Sequence, residues 1–386
     1  MKKYIITLVA CVFSLGIYAQ DNPTSTQTED KISFLERHND QLNIYFHIQS
    51  SFDMISEEGE ATEMAFKARQ FRLEIKGNLN EKIFYRFRQR LNRPTNPQSL
   101  DNIGKATDYM YVGYKFNDKF SIITGKQRQA WGGFEFDQNA INVHEYADFI
   151  SAMDNSMMGG AIIYTPIKDQ EFQFQITNSR NSYLEDIYGD LSAQGIEQSH
   201  NPLAYIVNWN GSFLDKRFQT RWAYGIQTEA EDNYSSMITM GTKYNLKHFQ
   251  LTLDYMNADE KIDRLGIATK DGAEWLALNN QKVFQDVTYN TVILKAEFQP
   301  KPEWNIFAKG MYETTSVKNV ENYDDDFRKA YGYMGGVEFL PFKDQDLRIF
   351  LAYIGRKYVY TEAIPSLQDY KTDRVSLGVM YRIKAF

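Results

Sequence analysis

Ile83-Phe84-Tyr85-Arg86-Phe87-Arg88-Gln89-Arg90-Leu91 is the stretch on which the fold turns. Strand side chains alternate between faces, so Ile83, Tyr85, Phe87 and Leu91 share one face and Phe84, Arg86, Arg88 and Arg90 the other. In a soluble sheet the apolar face packs on a core and the arginines meet bulk water. In an outer-membrane barrel the apolar face meets lipid and the arginines line a lumen. The stretch alone fits both readings, and its surroundings have to separate them.

The chain has 386 residues, formal net charge -7 and 43% hydrophobic residues, with 26 Tyr and 26 Phe. Its mean hydropathy of -0.52 is that of a polar chain. Many aromatics in a polar chain suit strands that are apolar on one face only. Residues 1–19 read as a signal peptide: Lys2 and Lys3, an apolar run from Tyr4 to Leu15, then Ile17-Tyr18-Ala19 before Gln20. A membrane anchor is disfavoured because the run is short for a span. Lipidation at Cys11 is disfavoured because the apolar run before it is too short. Cys11 is the single cysteine, so the mature chain has no disulfide, thiol nucleophile or cysteine metal site. After residue 20 no apolar run approaches the roughly 18 residues of a membrane helix. Entry into a membrane must therefore be as a closed barrel.

Residues 20–41 form a polar, flexible periplasmic lead-in, and two-residue alternation runs through 42–386, the barrel. Short turns, such as Asn117-Asp118-Lys119 and Gln299 to Glu303, alternate with longer polar loops. That rhythm belongs to outer-membrane barrels, with short periplasmic turns and long extracellular loops. The expected fold is an all-β transmembrane antiparallel barrel of about 16 strands, an even number with both termini periplasmic.

Inward basic residues concentrate on strands that closure makes neighbours: Arg72 and Lys76; Arg86, Arg88 and Arg90; Arg348 and Arg356; Arg374, Arg382 and Lys384. Strands ten to fourteen are expected to bring little inward positive charge, and acids such as Asp254, Glu297 and Glu338. Arginine and lysine rings favour anions in a pore, although weakly selective general porins also set basic ladders opposite acids.

The third long loop, Lys126 to Ser156, opens Gly125-Lys126-Gln127-Arg128-Gln129-Ala130-Trp131-Gly132-Gly133-Phe134. Here the chain resembles the phosphate-selective porins of the O and P type, whose fifth strand leads through Gly-Lys into a Gly-containing turn. Signal, strand rhythm and terminal Phe386 extend the resemblance, though Trp131-Gly132-Gly133-Phe134 departs from the family's usual turn. The resemblance implies a third loop folded into the barrel, Lys126 and Arg128 as constriction residues, and a homotrimer.

Catalysis finds no support. The histidines are scattered, and neither a metalloprotease helix motif, a nucleophile elbow nor a phosphate-binding loop occurs. Glu57-Glu58-Gly59-Glu60 and Asp324-Asp325-Asp326 lack calcium-loop spacing and read as solvated loop faces, with divalent bridging to lipopolysaccharide as the rival. The expected protein is an outer-membrane porin for small hydrophilic solutes, anions including phosphate foremost. It needs no cofactor or metal, and its surroundings are outer-membrane lipid and lipopolysaccharide rather than nucleic acid. A ligand-binding barrel or receptor, and a secreted soluble glycan-binding β-protein, are the other readings.

Overall fold

The structure, a computed structural model, describes residues 41–385 except 59, 319–326 and 363–365. The signal and nearly all of the lead-in, the aspartate run at 324–326 and Phe386 lie outside the described residues. Sixteen antiparallel strands close into one barrel in chain order. They are β1 Asn43–Glu57, β2 Glu63–Asn78, β3 Ile83–Arg90, β4 Thr107–Lys115, β5 Phe120–Arg128, β6 Ser156–Ile167, β7 Gln170–Asn178 and β8 Leu203–Phe213. The second half comprises β9 Phe218–Ala230, β10 Asn233–Asn245, β11 Phe249–Ile262, β12 Gln285–Lys301, β13 Trp304–Val317, β14 Arg328–Phe339, β15 Asp346–Tyr360 and β16 Tyr370–Lys384.

The closing seam pairs β1 with β16 from Tyr45 opposite Lys384 to Glu57 opposite Thr372. No strand edge remains among the sixteen, as a span in lipid requires. The length rhythm of the connections is the expected one. Turns at 168–169 and 302–303 face one end, and loops at 91–106, 129–155, 179–202 and 263–284 the other. The strands run further than the sequence pattern suggests, since Asp53 lies within β1 rather than in a loop.

Alternation divides each strand by environment. On β12, Val292 and Leu294 face outward and are exposed while Thr291 and Ile293 are buried inside. Rings gather where strands meet the short turns. Phe120 stacks on Tyr164 at 4.4 Å, Trp209 meets Trp222 at 5.4 Å, and Trp304 meets Phe339 at 4.8 Å. Such a girdle marks the membrane–water interface. Leu294, flanked by Leu253 and Gly310, lies well inside the outward band. Leu294→Arg should therefore cost about 2–4 kcal/mol in a denaturant titration of vesicle-inserted protein. No loss of stability would mean that this row does not face lipid.

The longest inward excursion is the third outer loop, 129–155, which carries α1 Phe134–Asp137, a 3-10 turn Ala140–Asn142 and α2 Asp148–Ala152. Gly132 and Gly133 have φ of 70° and 78°, and a side chain at Gly132 would meet the Arg221 carbonyl at 2.9 Å. A left-handed turn this close to the wall favours glycine. The Trp131-Gly132-Gly133-Phe134 sequence thus provides the bend by which the chain leaves β5.

Candidate functional site

Register assembles the basic residues into rows. Arg382, His47, Arg72 and Arg90 are successive partners across β16, β1, β2 and β3. The next row runs Lys384, Tyr45, Glu74, Arg88 and Tyr109, and a third joins Asn43, Lys76, Arg86 and Tyr111. Register sets these basic residues side by side, and two carboxylates stand among them. Asp108 accepts from Arg72 Nη1 at 2.7 Å, Arg88 Nε at 2.9 Å and Arg90 Nε at 2.7 Å. Glu74 accepts from Arg86 Nε at 2.6 Å and lies 2.8 Å from His47 Nε2.

The reason is electrostatic: burying one guanidinium beside others without counter-charge costs several kcal/mol per ion. Four guanidiniums (Arg72, Arg86, Arg88, Arg90) against two carboxylates still leave an excess of +2. Side-chain exposure separates their roles. Arg72 and Arg88 are 3% exposed, whereas Arg86 and Arg90 reach 22% and 33%. Arg86 and Arg90 are the more exposed members of the cluster. Rings carry the rest: Tyr109 lies 4.2 Å from Arg86 and 4.5 Å from Arg88, and Tyr45 lies 4.3 Å from Arg382 and 5.3 Å from Lys76. Cation–π contact supports a guanidinium without cancelling its charge.

The third loop bonds to inward-facing side chains on widely separated strands. Asp254 on β11 accepts both Phe134 N and Glu135 N at 2.8 Å. Glu313 on β13 accepts Asp148 N at 3.0 Å and Phe149 N at 2.9 Å. Each carboxylate therefore caps the N-terminus of one short loop helix, satisfying N–H groups that the helix itself leaves unpaired. Gln49 on β1 donates to the Val143 carbonyl at 3.2 Å, and His144 Nε2 meets Glu338 on β14 at 2.9 Å. Burial between Phe307 and Phe350 pushes His144 below its ordinary value, against the opposing pull of the Glu338 carboxylate.

Beneath these bonds Trp131, Phe136, Ile141 and Phe149 join an apolar core with Met256, Ile293, Phe307 and Phe350. That core draws its wall residues from β8 to β16. Asp137, Gln138, Asn139, Glu145 and Tyr146 keep partial exposure along the loop's other edge.

The profile of the family described as phosphate-selective porin O and P matches residues 42–383. The chain belongs to that family. It is therefore an outer-membrane porin, a channel by family and fold. Among solved structures it resembles the outer-membrane channel DcaP of Acinetobacter baumannii, with TM-score 0.61, 11% identity and coverage of 89% of this chain and 97% of that one. It also resembles OmpF of Salmonella typhi in complex with daunomycin, with TM-score 0.58, 12% identity and coverage of 89% and 97%. The anion-selective porin from Comamonas acidovorans aligns with TM-score 0.55, 10% identity and coverage of 89% and 99%. At such identities these likenesses carry the fold alone. No curated protein matches the sequence.

Within this porin Arg348, Arg356 and Arg374 of the last two strands do different work from the arginines of β3. Arg356 pairs with Asp148 at 3.3 Å and Glu313 at 3.4 Å, and Arg374 with Glu145 at 2.5 Å. Both hold the loop. Arg348 pairs with Asp346 at 3.2 Å and Glu338 at 3.8 Å. Arg128 reaches the loop itself, donating to the Phe136 carbonyl at 2.7 Å.

Lys126 is placed differently from its expected position at a constriction. It pairs in register with outward Met110 and is 1% exposed, and its ammonium meets Asp101 at 2.5 Å, tying β5 to the second outer loop. The opposite wall also differs from expectation. Lys243, Lys309 and Arg328 point inward on β10, β13 and β14, so these strands do bring positive charge. Asp254 and Glu338 are engaged by the loop and its neighbours, leaving Glu297, paired with Lys295 at 3.0 Å, as a partly exposed acid there.

Two charged residues escaped the alternation pattern because each sits at a β-bulge. On β2 the register slips between Gln49 and Ser50, turning Arg69 inward to Ser51 Oγ at 3.0 Å and to Asp53. On β4 the slip beside Arg88 turns Asp108 inward. A bulge re-aims a side chain in this way.

Proposed function

We propose that this porin passes small anions, phosphate among them, by passive diffusion along the β16–β3 wall. The observation that carries this is the +2 excess of the β2–β4 cluster, with Arg86 and Arg90 as its exposed members. Arginine fits phosphate and carboxylate geometry, and a basic wall lowers the energy of an entering anion. The third loop narrows the lumen to the side of this wall, and its polar edge with Arg128 forms the constriction. Weak, successive contacts let the solute leave, so no cofactor or energy source is required.

Residues 1–19 direct export and are removed, and residues 20–41 remain as a periplasmic lead-in. The mature barrel sits in the outer membrane among lipid and lipopolysaccharide as a homotrimer, the assembly that the family resemblance implies. Single-channel recording in chloride tests the solute class. Phosphate added at millimolar concentration should reduce chloride current in a saturable way, because both anions share the arginine wall. A chloride current indifferent to phosphate would favour a weakly selective general pore and overturn the reading.

A further inference from the structure

We propose that Asp108 is the positioning residue of the anion path. It holds Arg72, Arg88 and Arg90 in one fixed array, so preference for anions depends on a carboxylate whose own charge opposes them. The inference rests on the anion-conducting role proposed above.

The geometry begins with the backbone. Arg88 pairs with Tyr109 but Gln89 pairs with Thr107, so Asp108 is the extra residue of a bulge. Without the slip Asp108 would share the phase of Met110 and Val112, both exposed on the outward face. A carboxylate there would meet lipid at a cost. The bulge instead buries it to 2% exposure on the lumen side, where its two oxygens accept three arginine donors.

Arg72 acts as the strut of this array. Its Nη1 binds Asp108, and its Nε and Nη2 bind Gln70 at 3.0 and 2.7 Å. Arg90 donates to Asp108 through Nε while a third of its side chain faces the lumen. Arg88 is fixed between Asp108 and the Tyr109 ring, and Arg86 lies 4.2 Å from the centre of the same ring. Arginine side chains are long and mutually repulsive, and without a shared acceptor they would spread into water. A group that pre-orders them removes that ordering cost from anion binding.

Charge alone predicts the opposite behaviour. Removing Asp108 adds one unit of net positive charge to the wall, which by itself should strengthen anion preference. The positioning role predicts a loss, and the two accounts separate by sign.

The experiment uses the purified full-length porin in planar bilayers. It reads the reversal potential in a salt gradient and the inorganic phosphate concentration that halves the chloride current. Asp108→Asn should raise the half-blocking concentration about tenfold, the scale seen when a group orienting contact residues is removed. Its reversal potential should move toward zero, and Asp108→Glu should restore both readings in part. An Asp108→Asn channel with greater anion preference and an unchanged half-blocking concentration would overturn the proposal.

If Asp108→Asn yields no folded barrel by heat-modifiable gel mobility, the charge-neutral pair Asp108→Asn with Arg72→Gln carries the test. A similar rise supports positioning, and an unchanged value overturns it. A wild-type channel without anion preference would defeat the reading on which the inference rests. Wild-type preference with unaltered variants would defeat the role of Asp108 alone.

Discussion

Replacing Asp254 and Glu313 together by alanine should release the third loop, and single-channel conductance should rise about twofold or more with frequent current fluctuation. Each carboxylate accepts two backbone N–H groups of the loop, at 2.8 Å for Asp254 and at 3.0 and 2.9 Å for Glu313. Hydrogen bonds to a charged partner contribute about 1.5–3 kcal/mol each, and a buried donor left without a partner adds its desolvation penalty. The double variant leaves four such donors unmet, and it also leaves Arg356 with Asp148 as its remaining acid, since Glu313 lies 3.4 Å from it. Losses of this size exceed what a short loop helix supplies for itself. The barrel wall should survive, because its ladder bonds are untouched. Planar-bilayer recording checks the outcome. Wild-type conductance and quiet current in the variant would mean that the apolar contacts of Trp131, Phe136 and Phe149, with the bonds of Gln49, His144, Arg356 and Arg374, hold the loop without these two carboxylates.

A second large effect should follow from Arg86→Gln, Arg88→Gln and Arg90→Gln combined. In the wild type four guanidiniums face two carboxylates, a local balance of 4 − 2 = +2. The triple variant keeps Arg72, Asp108 and Glu74, a balance of 1 − 2 = −1. Lys76 and Arg382 remain beside the cluster on the Tyr45 ring, so anion preference should fall sharply and the reversal potential should move close to zero. Glutamine keeps most of the side-chain length and polarity, so the change is chiefly one of charge. The remaining acids keep partners: Asp108 bonds Arg72 at 2.7 Å, and Glu74 meets His47 at 2.8 Å. Unchanged selectivity would show that these arginines are not the residues that conducting ions meet.

Much of the barrel was legible in the chain because alternation and loop length are local signals. The apolar rows Ile44, Phe46, Ile48 and Val375, Leu377, Val379 belong to strands that pair at the seam, and either could be read without the other. The basic wall followed from closure. Alternation failed where the backbone departs from a two-residue period: Arg69 and Asp108 sit at bulges, and no side-chain pattern announces a bulge. The acids failed for another reason. Asp254 and Glu338 were correctly placed facing inward, but their partners are Phe134 N, Glu135 N and His144, far away in sequence. Whether an inward carboxylate faces open lumen or a folded loop depends on contacts that spacing does not encode. Lys126 shows the same limit, since its partner Asp101 comes from a different outer loop.

The central claim is that the lumen favours anions through an arginine wall with net positive charge. Its most direct measurement is the zero-current potential of the purified wild-type porin in a planar bilayer across a potassium chloride gradient. For an about tenfold gradient the potential should take the anion sign and lie well toward the ideal limit of roughly 59 mV for a monovalent ion. A potential of cation sign, or one at zero, would contradict the account.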